Sequence, residues 1–217
     1  MPNERVSRFP GYDVLAKREG PSWNDKTREV IERRLAISAV PRFFTAEEFL
    51  TVRAAADRIV PQPAGRPRIP VAALVDYKLH VGQSDGYRQS GSLRDDETWR
   101  LGLKATDAEA CSAWNARFHE LTASQQDTLL ACMQNGELLN PIWYPLNSHD
   151  FFRLRFAKDL VFAYYAHPIA WSEIGWGGPA SPRGYVRMDY DERDPWEAAE
   201  AHEGTFERAL RKNRHVK

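Results

Sequence analysis

Cysteine is scarce: the 217 residues hold two, Cys111 and Cys132. They are too few and too far apart to frame a zinc module or a disulfide scaffold. They can pair with each other, reach a partner chain or stay free, and a buried thiol is the default expectation. Long apolar runs are missing as well. The longest, Leu160 to Ala166, has seven residues, where crossing a bilayer takes roughly 20. Neither sign of charge is in surplus, with 30 basic against 30 acidic side chains. That argues against nucleic acid or an anionic membrane as the main partner.

Catalytic signatures are equally thin. The six histidines, at 80, 119, 149, 167, 202 and 215, are mostly isolated. None makes the His-x-x-x-His spacing that puts two metal ligands on one helix face. There is no haem-attachment motif, no Gly-x-Ser-x-Gly elbow and no phosphate-binding loop. The cluster Gly175-Trp176-Gly177-Gly178 does not follow a strand and open a helix, as a dinucleotide fingerprint must. His167 precedes Pro168 at a helix end, where a protonated imidazole would complement the dipole. The pair Arg33-Arg34 superficially resembles a twin-arginine export signal. An amphipathic pattern runs through it, however, and the apolar stretch after it ends by Pro41.

What the chain does have is aromatics: seven Trp, eight Tyr and ten Phe, enough for a real core and too many for a disordered chain. Helical periodicity accommodates many of them. Asn24 caps a helix from Asp25 to about Ile37. Thr45 with Glu48 forms a capping box before Phe49, Val52, Ala56 and Ile59, and Pro61 stops that helix. Pro70 starts the next, with Ala73, Leu74, Tyr77 and Leu79, and Gln83–Ser92 reads as a loop. A longer helix from Asp95 carries Trp99, Leu103, Ala110, Trp114 and Phe118 on one face. Thr122 with Gln125 is a second capping box, and Gly136 lies past that helix end. Ser148 caps an apolar helix through Phe152, Phe156, Leu160, Ala163 and Tyr164. No segment alternates as a strand does. The fold class is therefore mainly α: a compact helical domain of about six helices, with an extended N-terminal arm and a loop-rich C-terminal region. The expected divisions are an irregular arm over 1–24, a helical domain over 25–180, and an extension over 181–217 with acidic then basic blocks.

Two segments bear aromatics without period. The arm has Phe9, Tyr12 and Trp23, and the C-terminal stretch has Trp171, Trp176, Tyr185, Tyr190 and Trp196. Aromatics are enriched at interface hot spots. Phe9, Tyr12, Trp23, Trp171, Trp176, Tyr185 and Trp196 are accordingly the candidate partner-interface residues, while the bland reading has them plug gaps between helices. No catalytic, cofactor-binding or metal-ligating set is read in this chain. Charge is segregated at the end: eight acids against one Arg over 189–207, then Arg208, Arg211, Lys212, Arg214 and Lys217. Such blocks suit docking against another protein's charge pattern.

Three segments together carry a resemblance. They are Arg42-Phe-Phe-Thr-Ala-Glu-Glu-Phe-Leu through Ala56-Asp-Arg-Ile-Val-Pro61, Gly102–Phe118 with Leu121-Thr-Ala-Ser-Gln-Gln-Asp-Thr-Leu-Leu130, and Phe151–Tyr165 with His167-Pro168 and the Trp171–Pro179 loop. Over roughly 42–180 the chain resembles the gluconate 2-dehydrogenase subunit 3 family, although its loop after His167 departs from the family's shorter pattern. The resemblance implies a small, helical, non-catalytic subunit of a hetero-oligomer. Its partner would be a flavoprotein of the glucose–methanol–choline type, with cytochrome c as a common acceptor. FAD, with an iron–sulfur cluster or a haem, would reside in partner subunits, and the substrates would be sugars, sugar acids or glycosides. It implies a periplasmic site reached with the partner; the missing export signal leaves the cytoplasm as the alternative. A disulfide through Cys111 or Cys132 would place the protein outside the reducing cytoplasm. Two other readings compete: a stand-alone enzyme holding a sugar near His167 and Glu173, and a general scaffold.

Overall fold

In a computed structural model, which describes residues 7–64, 66–86, 91–179, 184 and 196–216, every regular element is helical. The α-helices are α1 (Asp25–Leu35), α2 (Ala46–Ile59), α3 (Val71–His80), α4 (Asp95–Trp114), α5 (Ala123–Asn135), α6 (Ser148–Phe151), α7 (Lys158–Ala166), α8 (Pro168–Glu173) and α9 (Phe206–Asn213). A 3-10 helix covers Val14–Glu19, shorter ones cover Phe118–Glu120 and Pro141–Trp143, and a π-helical stretch, Phe152–Ala157, joins α6 to α7.

The local signals place most helix ends. Asn24 accepts the Thr27 amide at 2.9 Å. Thr45 and Thr122 each form a reciprocal capping box, with Glu48 and Gln125. Gly136 closes α5 with φ +72°, the left-handed conformation glycine takes without steric cost. α4 stops before Phe118, because Asn115 turns left-handed at φ 54°. At α6 the cap is Asn147, not Ser148: its side chain accepts the Asp150 amide at 2.7 Å.

The described chain divides into two units, residues 37–164 and residues 1–36 with 165–217. This division by compactness falls at 36/37 and 164/165, where the sequence reading sets its divisions at 24/25 and 180/181. α1 goes with the arm, and α8 with the C-terminal segments, because Ile31 and Trp171 share one buried cluster with Tyr12, Val14, Trp23, Ala198 and Val216.

Within residues 37–164 the core is aromatic. Trp99 is fully buried, and its ring lies 5.6 Å from Phe44, 5.8 Å from Phe151 and 5.7 Å from Phe156, centroid to centroid. α4 approaches α6 closely because Gly102 offers no side chain there: a Cβ would stand 2.1 Å from the Phe151 ring. The π-helical stretch corrects the expected stripe. Phe152 is only half-buried, while Phe151 and Phe156, five apart, are both buried with ring centroids 4.7 Å apart. The wider π turn brings positions i and i+5 onto one face, which an α-helix cannot do. Asp76, also buried, accepts three consecutive amides, Arg42 at 2.7 Å, Phe43 at 3.0 Å and Phe44 at 2.8 Å. Its carboxylate thereby fixes the approach to α2.

Within the other unit, both ends of the chain are knitted together. Asn213 on α9 donates to the carbonyls of Pro10 and Ala199, each at 2.9 Å, and accepts from the Ala199 amide at 2.5 Å. The Lys17 side chain is buried, and its ammonium donates to the carbonyls of Gly177 at 3.0 Å and Trp196 at 2.7 Å. Val14 donates its amide to Ser172 at 3.1 Å, and Ala201 donates to the Arg8 carbonyl at 2.7 Å.

Candidate functional site

The candidate interface residues separate by burial. Tyr12, Trp23 and Trp171 are 6%, 1% and 1% exposed, and they build the chain's own core rather than a free surface. The physical reason is the arm itself, which folds onto α1 and α8 and brings its aromatics inside. Phe9 is partly buried against this cluster, its ring lying over Gly175. Trp196 is half-buried and gives its carbonyl to Lys17. Trp176 is different: 39% of it is exposed, and its ring stands edge-on to Trp171 at 4.6 Å. Ile174, beside it, is 47% exposed. Tyr185 lies outside the described residues. Of the candidate residues described, Trp176 is the one that presents an exposed ring, next to Ile174 and braced from beneath by Trp171, whose indole donates to the Tyr165 carbonyl at 2.8 Å. The Arg34 guanidinium lies 5.8 Å from the Trp171 ring centroid and donates to the Ala166 carbonyl at 3.1 Å.

His167 has a different role from the one its position before Pro168 suggested. The residues after it form α8, which the glycine-rich and aromatic reading of that stretch concealed. The imidazole caps that helix, with Nδ1 accepting the Ile169 amide at 3.4 Å and Pro168 at the first helical position. Accepting an amide proton requires Nδ1 unprotonated. Burial, and then the Arg34 charge, hold the histidine down at about 4. The ring thus serves a helix N-terminus as a neutral acceptor, and does not serve a C-terminus as a cation.

Cys111 and Cys132 stand as free thiols. Cys111 is exposed on α4, so the default of a buried thiol fails there. Cys132 is half-buried, and burial followed by its Glu137 neighbour pushes that thiol up. Among the described residues, no group of three or more His, Cys, Asp and Glu side chains is placed to hold a metal ion. No helix among them is long and apolar enough to cross a membrane.

Two polar clusters went unrecognised in the sequence, because their members are far apart in the chain. In the first, Asp107 accepts the Phe118 amide at 3.1 Å and the Thr51 hydroxyl at 3.2 Å, with His119 Nδ1 3.4 Å from the same hydroxyl. Burial raises the Asp107 carboxyl against these donors. The second centres on buried Asp159, which accepts the Trp99 indole at 3.0 Å and Lys78 at 3.2 Å. Around it Arg155 reaches Asp95 at 2.5 Å, and Lys158 reaches Asp85 at 2.6 Å.

The described elements are all helical, with α2 and α5 capped and a short helix after His167-Pro168, as the resemblance implies. A family model described as gluconate 2-dehydrogenase subunit 3 matches residues 46–178. The chain belongs to the gluconate 2-dehydrogenase subunit 3 family. Membership makes it an accessory subunit of a dehydrogenase complex, associated with a dehydrogenase catalytic chain. The matched span runs from α2 through α8, so the arm, α1 and α9 lie outside it. Comparison with curated proteins gives no match, and comparison with solved structures gives none either.

Proposed function

We propose that this subunit-3 chain binds and stabilises an FAD-dependent dehydrogenase of the glucose–methanol–choline type that oxidises sugars, sugar acids or glycosides. The family match over 46–178 carries this reading. FAD, with an iron–sulfur cluster or a haem, belongs to the partner subunits in this assignment, and cytochrome c is the acceptor. The exposed pair Trp176 and Ile174 supports it, since large apolar side chains held by packed neighbours bind at little entropic cost. The capping role of His167 favours it over a stand-alone enzyme, because that imidazole nitrogen already accepts an amide.

The test is to produce the catalytic chain alone and together with this one. Co-production should raise soluble yield, flavin content and dehydrogenase activity severalfold. Equal values in both preparations would overturn the reading.

A further inference from the structure

Asp85 sits in a short loop after α3, and three cations converge on it from three elements. Lys78 Nζ on α3 lies 2.9 Å from the carboxylate, Lys158 Nζ at the start of α7 lies 2.6 Å away, and Arg155 Nη1 in the π-helical stretch lies 3.7 Å away. Lys78 and Arg155 have other acids to hold them: Asp159 at 3.2 Å and 3.5 Å, and Asp95 at 2.5 Å from Arg155. Lys158 has none; among the described residues Asp85 is its one carboxylate. Removing Asp85 would leave a fixed cluster with a cation to spare.

The loop meets little steric resistance to a change of conformation, while the cations sit on packed helices. Asp85 stands between Gly82 at φ +66° and Gly86 at φ +74°, and open space surrounds both where a Cβ would project. Left-handed glycines allow the backbone to swing there with little steric resistance. The cations belong to helices anchored by buried Asp159 and Trp99. Apolar surface flanks them: Val81, one turn after Lys78, is 49% exposed, and Phe162, one turn after Lys158, is 62% exposed. The Lys158 ammonium lies 5.9 Å from the Phe162 ring centroid.

We propose that Lys78, Arg155 and Lys158 form a carboxylate seat, which Asp85 fills in the free chain and which a carboxylate of the partner takes over on docking. The occupant is a partner segment carrying an Asp or Glu beside apolar residues, which meets the cations and the Val81 and Phe162 side chains together. Charge complementarity fixes the sign, because the chain's own carboxylate already shows what the seat accepts. The cationic surroundings hold the Asp85 carboxyl down at about 2, with Lys158 as the first cause. That the partner is the catalytic subunit rests on the function proposed above; the seat itself does not.

Exchange and simple structural pairing give opposite results. With the catalytic chain, Asp85→Asn empties the seat and should tighten complex formation about fivefold, the scale of one partly exposed ion pair. Lys158→Ala should weaken it by a similar factor, and the double variant should lose the gain. Weaker or unchanged binding by Asp85→Asn, with its helical circular dichroism intact, overturns the proposal while leaving the accessory role standing. Failure of the wild-type chain to bind the catalytic chain overturns the accessory role instead. The seat is then read directly, by thermal melting of Asp85→Asn in sodium acetate against sodium chloride at equal ionic strength. A rise of about 2 °C or more in acetate, absent when Lys158 is also Ala, supports it. Identical curves overturn it.

Discussion

Gly102 has no side chain to contribute, yet it determines how closely α4 and α6 pack. The Phe151 ring occupies the space a methyl group would need, at 2.1 Å from its position. Gly102→Ala gains helix propensity, but the overpacking that follows costs about 1–3 kcal/mol, so the urea midpoint should fall. Adding Phe151→Leu, which clears the ring, should recover part of the loss relative to Gly102→Ala alone. His167 makes a second prediction at this scale. Its folded value of about 4 lies below the ordinary 6.5, so the unfolded chain takes up the proton first as the pH falls. Stability contributed by this group is therefore full above pH 6.5, declines between 6.5 and about 4, and changes no further below that. The total is up to about 3 kcal/mol. Urea unfolding at intervals from pH 7.5 to 4 would show this decline, and His167→Asn, which caps without titrating, should flatten it over that range.

At the scale of elements, what the sequence disclosed follows the range of each interaction. Asn24, Thr45, Thr122 and Gly136 were legible because a cap is settled within four residues of itself. The π-helical stretch was not, because Phe151 is drawn inward by Trp99, some 50 positions away, and no local rule contains that contact. The same distance hid Asp76, whose three acceptor bonds run to residues 42–44. Asp76→Ala should cost about 3 kcal/mol or more, since it strands buried amides as well as removing charged hydrogen bonds; chemical denaturation would measure it. The π turn makes a sharper prediction. One residue in excess of the α repeat separates Phe151 from Phe156, so deleting exposed Arg153 should convert the stretch to α-helix and keep both rings inside. Near-ultraviolet circular dichroism and the urea midpoint should change little. Deleting exposed Ala131 within α5, which has no such excess, should rotate Leu129 and Leu130 against Met133 and unfold the unit.

For the whole molecule, the neutral total of charges and the aromatic ends give way to a division that no local pattern announces. Candidate interface residues such as Tyr12 and Trp23 were recognised as a non-periodic aromatic set, but their burial depends on segments almost 200 residues away. Asn213 shows why: a polar side chain in a basic, solvent-like stretch bonds to Pro10 and Ala199 and is itself 2% exposed. Lys17 does the same from the opposite end, its ammonium held by two carbonyls. Each bond joins segments that are separate in sequence, so arm, α8 and α9 should lose structure together. Truncation before Trp196 removes the Ala198 and Val216 side chains and one of the Lys17 acceptors. Hydrogen exchange of the truncated chain should then show protection lost across residues 7–36 and 165–179 in one step, while amides of α2, α4 and α5 stay protected. Asn213→Ala, which cuts the same ties without shortening the chain, should cost about 2–3 kcal/mol and loosen that set of amides selectively. Loss confined to residues near 213, with the arm still protected, would mean that the two ends fold independently of each other.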